Sequence, residues 1–266
     1  MKDSDYLIVN NQKISIPIAT ISENELLNFE FAEECGVSLV TGRPGSGKST
    51  IIRLIIAGLL KNKLKHSFEI FLADTTGYEF PEMSDFSSEY LKGTLRGLDK
   101  KDIEDFIDEL HIHFIEKIEW LLDVQFGETE RDAEYKPIQP TIVFIDDIYM
   151  LLNNLASQEY INKFTTLITH GVKYGFRFIL LCQNHDCSHI NLPVIREMTG
   201  QRIQLSPYTI EDISDFCKDT TVAGDIGGNE ERFTVLVTQK NRKQIKKGKL
   251  LYINLEEFQN VVKTSQ

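Results

Sequence analysis

The stretch Gly42-Arg43-Pro44-Gly45-Ser46-Gly47-Lys48-Ser49 constrains this chain more than any other. Three glycines at these spacings leave backbone N–H groups open to a ligand, because no side chain blocks the approach. A lysine and a hydroxyl residue follow at fixed distance, and Lys48–Leu60 carries helical apolar spacing at Ile51, Ile52, Leu54, Ile55 and Leu59. Val37–Thr41 ahead of the loop is a short apolar run that reads as a buried strand. Strand, glycine loop and helix in this order form a phosphate cradle at a helix N-terminus. The pattern predicts a nucleoside triphosphate, ATP, bound with magnesium (Mg2+) by Gly42, Arg43, Pro44, Gly45, Ser46, Gly47, Lys48, Ser49 and Thr50. Lys48 is expected to reach the β- and γ-phosphates as a point charge, and the Ser49 hydroxyl to coordinate the metal.

Such a cradle needs a carboxylate from a neighbouring strand. Thr141–Ile145 is apolar and mostly β-branched, and Asp146 and Asp147 follow at once. Asp146 is expected to hold magnesium, directly or through water. Asp147 is expected to polarise the attacking water as a general base. The pair also suits the N-cap of a helix that follows the strand. Phe176–Cys182 is another buried strand, and Gln183 at its tip is a candidate for contact with the γ-phosphate. A plain polar strand end is the alternative there.

The remaining pattern is strand alternating with helix. Phe68–Ala73 is predicted as a strand that turns at Asp74–Gly77, Asp102–Leu122 as a long amphipathic helix, and Gly127–Pro140 as a loop. Gln158–Tyr174 reads as a helix stopped by Gly175, and Arg202–Leu205 as a further strand. Residues around Tyr6–Val9 and Lys13–Ile16 form a small strand pair. Phe233–Val237 and Leu250–Ile253 look like an antiparallel pair joined by a basic segment. The expectation is an α/β fold with a mostly parallel sheet flanked by helices. Residues 1–206 are its core, and 207–266 form a C-terminal helix and β-hairpin appendage.

Composition narrows the partners. The formal net charge is −11, which argues against a surface that binds nucleic acid throughout. It leaves room for local patches, and Lys61, Lys63 and Lys65 make one. A denser one runs from Lys240 to Lys249 with Arg242, Lys243, Lys246 and Lys247. A solvated face or hairpin tip is the plain reading of both. No apolar run reaches the ~18 residues a membrane helix needs. The first ten residues carry no basic start followed by an apolar stretch, and the four cysteines have no framework spacing. Reduced thiols in a cytoplasmic protein are therefore expected. Cys182, His185, Cys187 and His189 lie within eight residues. They match no standard zinc spacing, and Cys182 belongs to a buried strand, so a polar loop beside the nucleotide is the preferred reading over zinc or a thiol nucleophile.

Taken together, these elements resemble the FtsK/HerA superfamily of P-loop motors, above all the branch with the FtsK/SpoIIIE translocases and the type VII secretion ATPases. The resemblance runs over Ile16-Pro17, Thr41–Thr50, Phe71–Glu79, Ile142–Asp147, Gly171–Gln183 and Arg202–Leu205. It implies a RecA/ASCE-like P-loop fold, ATP hydrolysis coupled to translocation, and a ring of about six copies or one module of a larger motor. It implies DNA as the polymer moved, with a secreted protein substrate or a viral-type packaging role as alternatives. Any membrane contact would come through a partner. Departures are also visible. Asp146-Asp147 stands where DNA-pumping members carry Asp-Glu, the helix over Asp102–Leu122 lacks their arginine pair, and no winged-helix module is evident. Arg131, Arg177 and Arg196 are the remaining candidates for an arginine acting on a neighbour's site.

Overall fold

A computed structural model describes residues 7–8, 13–32, 35–61, 68–81, 89–127, 139–155, 157–183, 193–207, 233–239 and 242–264. Its strands are β1 (Leu7–Ile8), β2 (Lys13–Ser22), β3 (Glu25–Glu30), β4 (Val37–Gly42), β5 (Glu69–Asp74), β6 (Leu91–Arg96), β7 (Thr141–Ile145), β8 (Phe176–Cys182), β9 (Thr199–Leu205), β10 (Thr234–Gln239) and β11 (Arg242–Leu250). The helices are α1 (Lys48–Lys61), α2 (Lys100–Gly127), α3 (Ile148–Asn154), α4 (Gln158–His170), α5 (Pro193–Met198) and α6 (Leu255–Thr264).

Among the described residues all eleven strands join one sheet, in the order β1-β2-β11-β10-β9-β4-β8-β7-β5-β6, with β3 paired to β2. From β9 to β6 every pairing is parallel. From β9 outward to β1 every pairing is antiparallel. The parallel half is buried on both faces, as its runs of β-branched and aliphatic residues require: β4, β5 and β7 are buried at every position. α1 and α6 cover one face, through Ile51, Ile52, Ile55, Leu59, Phe258 and Val262. α2, α3, α4 and α5 cover the other, through Phe106, Leu110, Leu151, Phe164, Leu167 and Ile195. Burying each such side chain contributes roughly 1.5–3 kcal/mol.

The antiparallel wing departs from expectation. The hairpin partner of β10 is the basic segment itself, Arg242–Leu250, rather than Leu250–Ile253. Lys246 pairs with Val237 and Lys247 with Leu236, and both lysines are exposed. Lysine stems lie along a sheet while their ammonium groups reach water, so a charged strand is stable at this position. β3 and the edge strand β6 are also present without having been expected, and α3 follows β7 directly. The expected helix over Gln158–Tyr174 is α4 plus a tight 3-10 turn at Gly171–Tyr174, closed by Gly175 at φ 87°.

Candidate functional site

β4, β5, β7 and β8 run parallel, so their C-terminal ends open on one edge of the sheet. The loop after β4 leads into α1, whose first turn contains no acidic residue. No acidic side chain of α1 itself therefore competes with phosphate for the positive end of the helix dipole. Gly45 and Gly47 adopt φ +76° and +104°, conformations that other residues enter only with strain. Nothing lies within 4 Å of a Cβ built on Gly45. A Cβ on Gly42 would come within 2.5 Å of Ser46 Oγ, and one on Gly47 within 2.5 Å of Leu250. Ser46 is buried, and its Oγ has no hydrogen-bond partner. An open cradle around an unpaired hydroxyl fits phosphate oxygens.

Lys48 Nζ donates to the Gly42 carbonyl at 2.7 Å and the Arg43 carbonyl at 3.2 Å. Burial lowers its pKa, opposed by the charges of Asp146 and Asp147. Asp146 and Asp147 are both buried at the end of β7. Burial, followed by the charges of Glu79 and Asp74, pushes Asp146 up to about 7, with Lys48 pulling the other way. Asp147 caps α3: one oxygen accepts from Met150 N at 3.1 Å, and the other accepts from Gln183 Nε2 at 3.3 Å. Gln183 thus stands next to the acidic pair, at the tip of the strand lying between β4 and β7.

Two acidic residues without an assigned role complete this end of the sheet. Asp74 is almost wholly buried and ties the turn after β5, accepting from Thr76 N, Thr76 Oγ1, Gly77 N and Phe80 N. That turn delivers Glu79 Oε2 to within 2.8 Å of Ser49 Oγ. The signal in sequence was the Asp74-Thr75-Thr76-Gly77 run, an Asx-turn composition, but the reach of Glu79 depends on the tertiary placement of β5 beside β7. Phe233 and Leu250, from the antiparallel wing, line the cradle beside Gly47. Phe233 and Ser206 hold left-handed backbones, and Ser206 Oγ accepts from Phe233 N at 2.9 Å.

The donor set suits a hard cation that takes most of its ligands elsewhere. Among the described residues no group of three or more His, Cys, Asp or Glu is arranged to hold a metal alone. Magnesium bound by one hydroxyl, one carboxylate and phosphate oxygens needs no such group. His185, Cys187 and His189 lie outside the described residues, as do Arg131, Lys63, Lys65 and Lys240. Arg177 is corrected as a candidate for a neighbour's site: its guanidinium donates to the carbonyls of Phe31, Val172 and Phe176 near the start of β8, at the far end of the strand from Gln183. Arg196 is exposed on α5.

Residues 29–168, just over half the chain, match the family described as AAA domain. The chain belongs to that family. No curated protein is similar enough in sequence to count as a relative of this AAA domain. Among solved structures, it is similar along its whole length to the cytoplasmic domain of the Thermomonospora curvata type VII secretion ATPase EccC, with TM-score 0.72 and 15% identity, covering 32% of that chain. The pCW3 conjugation coupling protein TcpA, solved in monomer form with ATPγS, aligns with TM-score 0.71 and 17% identity over 100% of this chain and 73% of that one. The genome packaging NTPase B204 of Sulfolobus turreted icosahedral virus 2, in complex with sulfate, aligns with TM-score 0.53 and 17% identity over 81% of this chain and 96% of that one. The chain therefore spans about a third of the secretion ATPase and about three quarters of the coupling protein. Its fold is that of these P-loop ATPases, a mostly parallel sheet flanked by helices, as the resemblance implied. No helix among the described residues is long and apolar enough to cross a membrane.

Proposed function

We propose that this domain hydrolyses ATP with magnesium as part of a motor that handles DNA. The observation that carries the reading is the convergence of Lys48, Asp146, Asp147 and Gln183 beside the glycine cradle at one end of the parallel sheet. In this reading residues 42–50 bind the phosphates, with main-chain N–H groups and the Lys48 ammonium positioned against the transferred group. Ser49 and Asp146 hold magnesium, which when bound offsets the negative charge of the phosphates. Asp147 orients and deprotonates the attacking water, and Gln183, already bonded to Asp147, links that carboxylate to the γ-phosphate. Aspartate is one methylene shorter than glutamate, so either the water lies closer to β7 or turnover is slow. Residues 1–206 form the ATPase core and 207–266 its appendage, which bridges β9 to β2 through β10 and β11.

DNA handling is supported by the exposed lysines of β11 and by similarity to a conjugation coupling protein and a genome packaging NTPase. A second reading, a weakly active module that binds secreted protein, is favoured by the net charge of −11 and the alignment of the whole chain with the secretion ATPase. The measurement that separates them is ATP turnover with and without double-stranded DNA. Stimulation by DNA supports the first reading. Turnover indifferent to DNA, together with peptide binding, replaces it with the second.

A further inference from the structure

The metal site was assigned above to Ser49 and Asp146, yet the side chain that touches Ser49 is Glu79. The Ser49 Oγ–Glu79 Oε2 distance is 2.8 Å, so the hydroxyl donates its single proton to the carboxylate. With the proton committed there, the lone pairs of Ser49 are left for a cation. Glu79 is itself held in place. Arg53 stands four residues beyond Ser49 on the same face of α1, and its Nη2 donates to the Glu79 carbonyl at 2.6 Å. The Arg53 guanidinium also lies 5.4 Å from the centre of the Phe80 ring, and Phe80 is fully buried. Phe80 N is tied to Asp74 at 3.0 Å. The Glu79 carbonyl and the residue after it are therefore held by contacts within the chain.

We propose that Glu79 is a positioning residue of the magnesium site: it takes the Ser49 proton and aims the hydroxyl's lone pair at the ion. The inference rests on the ATPase reading above, and the test keeps the two apart. Binding of a fluorescent, slowly hydrolysed ATP analogue is followed while magnesium is titrated, using the full chain and its Ser49→Ala, Glu79→Gln, Glu79→Asp and Ser49→Ala/Glu79→Gln variants. Losing an outer-shell partner typically weakens metal affinity by about 10- to 100-fold. Each single variant is expected to raise the half-saturating magnesium concentration about tenfold, with nucleotide affinity recovering at high magnesium. The double variant should be no worse than Ser49→Ala alone, because both changes break one interaction. Glutamine is isosteric and keeps the Arg53 bond, which goes to the main chain. Should it still unfold, Glu79→Asp, which only retracts the carboxylate, gives the same readout. A magnesium requirement unchanged in the Glu79 variants, or a double variant showing the product of the single effects, overturns the proposal. If the parent protein binds no nucleotide at any magnesium concentration, the ATPase reading itself falls.

Discussion

Asp146 and Asp147 are neighbours with different surroundings, and the roles proposed for them follow that difference. Asp146 has no capping duty and shares its space with Lys48, Glu79 and Asp74. Asp147 spends one oxygen on Met150 N and the other on Gln183. Asp146→Asn is expected to weaken magnesium-dependent nucleotide binding by about tenfold or more. Asp147→Asn should leave binding intact and lower turnover by about 100-fold. Equilibrium binding and single-turnover kinetics on the two variants read this directly, and the opposite pattern would reverse the roles. At the other end of the sheet lies a charged group that serves stability. Glu69 Oε2 lies 2.7 Å from His113 Nε2 and 3.2 Å from Lys117 Nζ, all three largely buried between β5 and α2. Burial alone would raise the Glu69 carboxyl, but the His113 hydrogen bond and the Lys117 charge overcome it and hold it at about 2. The unfolded chain binds a proton near pH 4.5 where the folded chain does not. The stabilisation is thus complete above that pH and is lost as pH falls toward about 2. Glu69→Gln, which also leaves buried Lys117 without its counter-charge, should cost about 3 kcal/mol at pH 7. Denaturation curves at pH 7 and pH 3 should show the gap between variant and parent narrowing in acid.

Among the elements, those with strong periodicity and clear stops were legible in the sequence. β4, α1, β7 and β8 follow from apolar runs flanked by glycines and carboxylates, and they carry the cradle, Asp146, Asp147 and Gln183. β6 was not legible because its exposed positions alternate with buried ones over only six residues that include Gly93. That glycine lies against Phe71, where a Cβ would come within 2.5 Å of the ring, a contact invisible along the chain. Glu79 was missed for the same reason: its meaning lies in the pairing of β5 with β7, which brings the turn to α1. β11 was misplaced because its five basic residues read as a solvated hairpin tip rather than as a strand. As a strand it presents Lys246 and Lys247 on a rigid sheet. If those lysines contact DNA phosphates, Lys246→Ala/Lys247→Ala should flatten the plot of log affinity against log salt by up to about two units, at roughly 0.9 per contact. Sequence preference should be unchanged, because phosphate contacts carry no base information. A salt slope equal to that of the parent would remove this strand from the DNA path.

At the scale of the whole molecule, the sheet has two halves with one site between them. The parallel half supplies the phosphate cradle and its carboxylates. The antiparallel half reaches the same loop through Leu250 and Phe233, so the wing lies directly beside Gly47. Arg177 is engaged within its own chain, which leaves any arginine from a neighbouring copy to come from elsewhere. If the proposed motor works as a ring, ATP with magnesium should promote a closed oligomer. Light scattering that shows only monomer under those conditions, at high protein concentration, would point instead to a module that needs other partners. The central claim, that the loop around Lys48 is the site of ATP hydrolysis, is tested most directly by phosphate release from ATP in the parent protein and in Lys48→Ala, each with and without magnesium. The account predicts release by the parent only with magnesium, and at least about a 100-fold lower rate in a folded Lys48→Ala protein. Equal rates in the two proteins would contradict it.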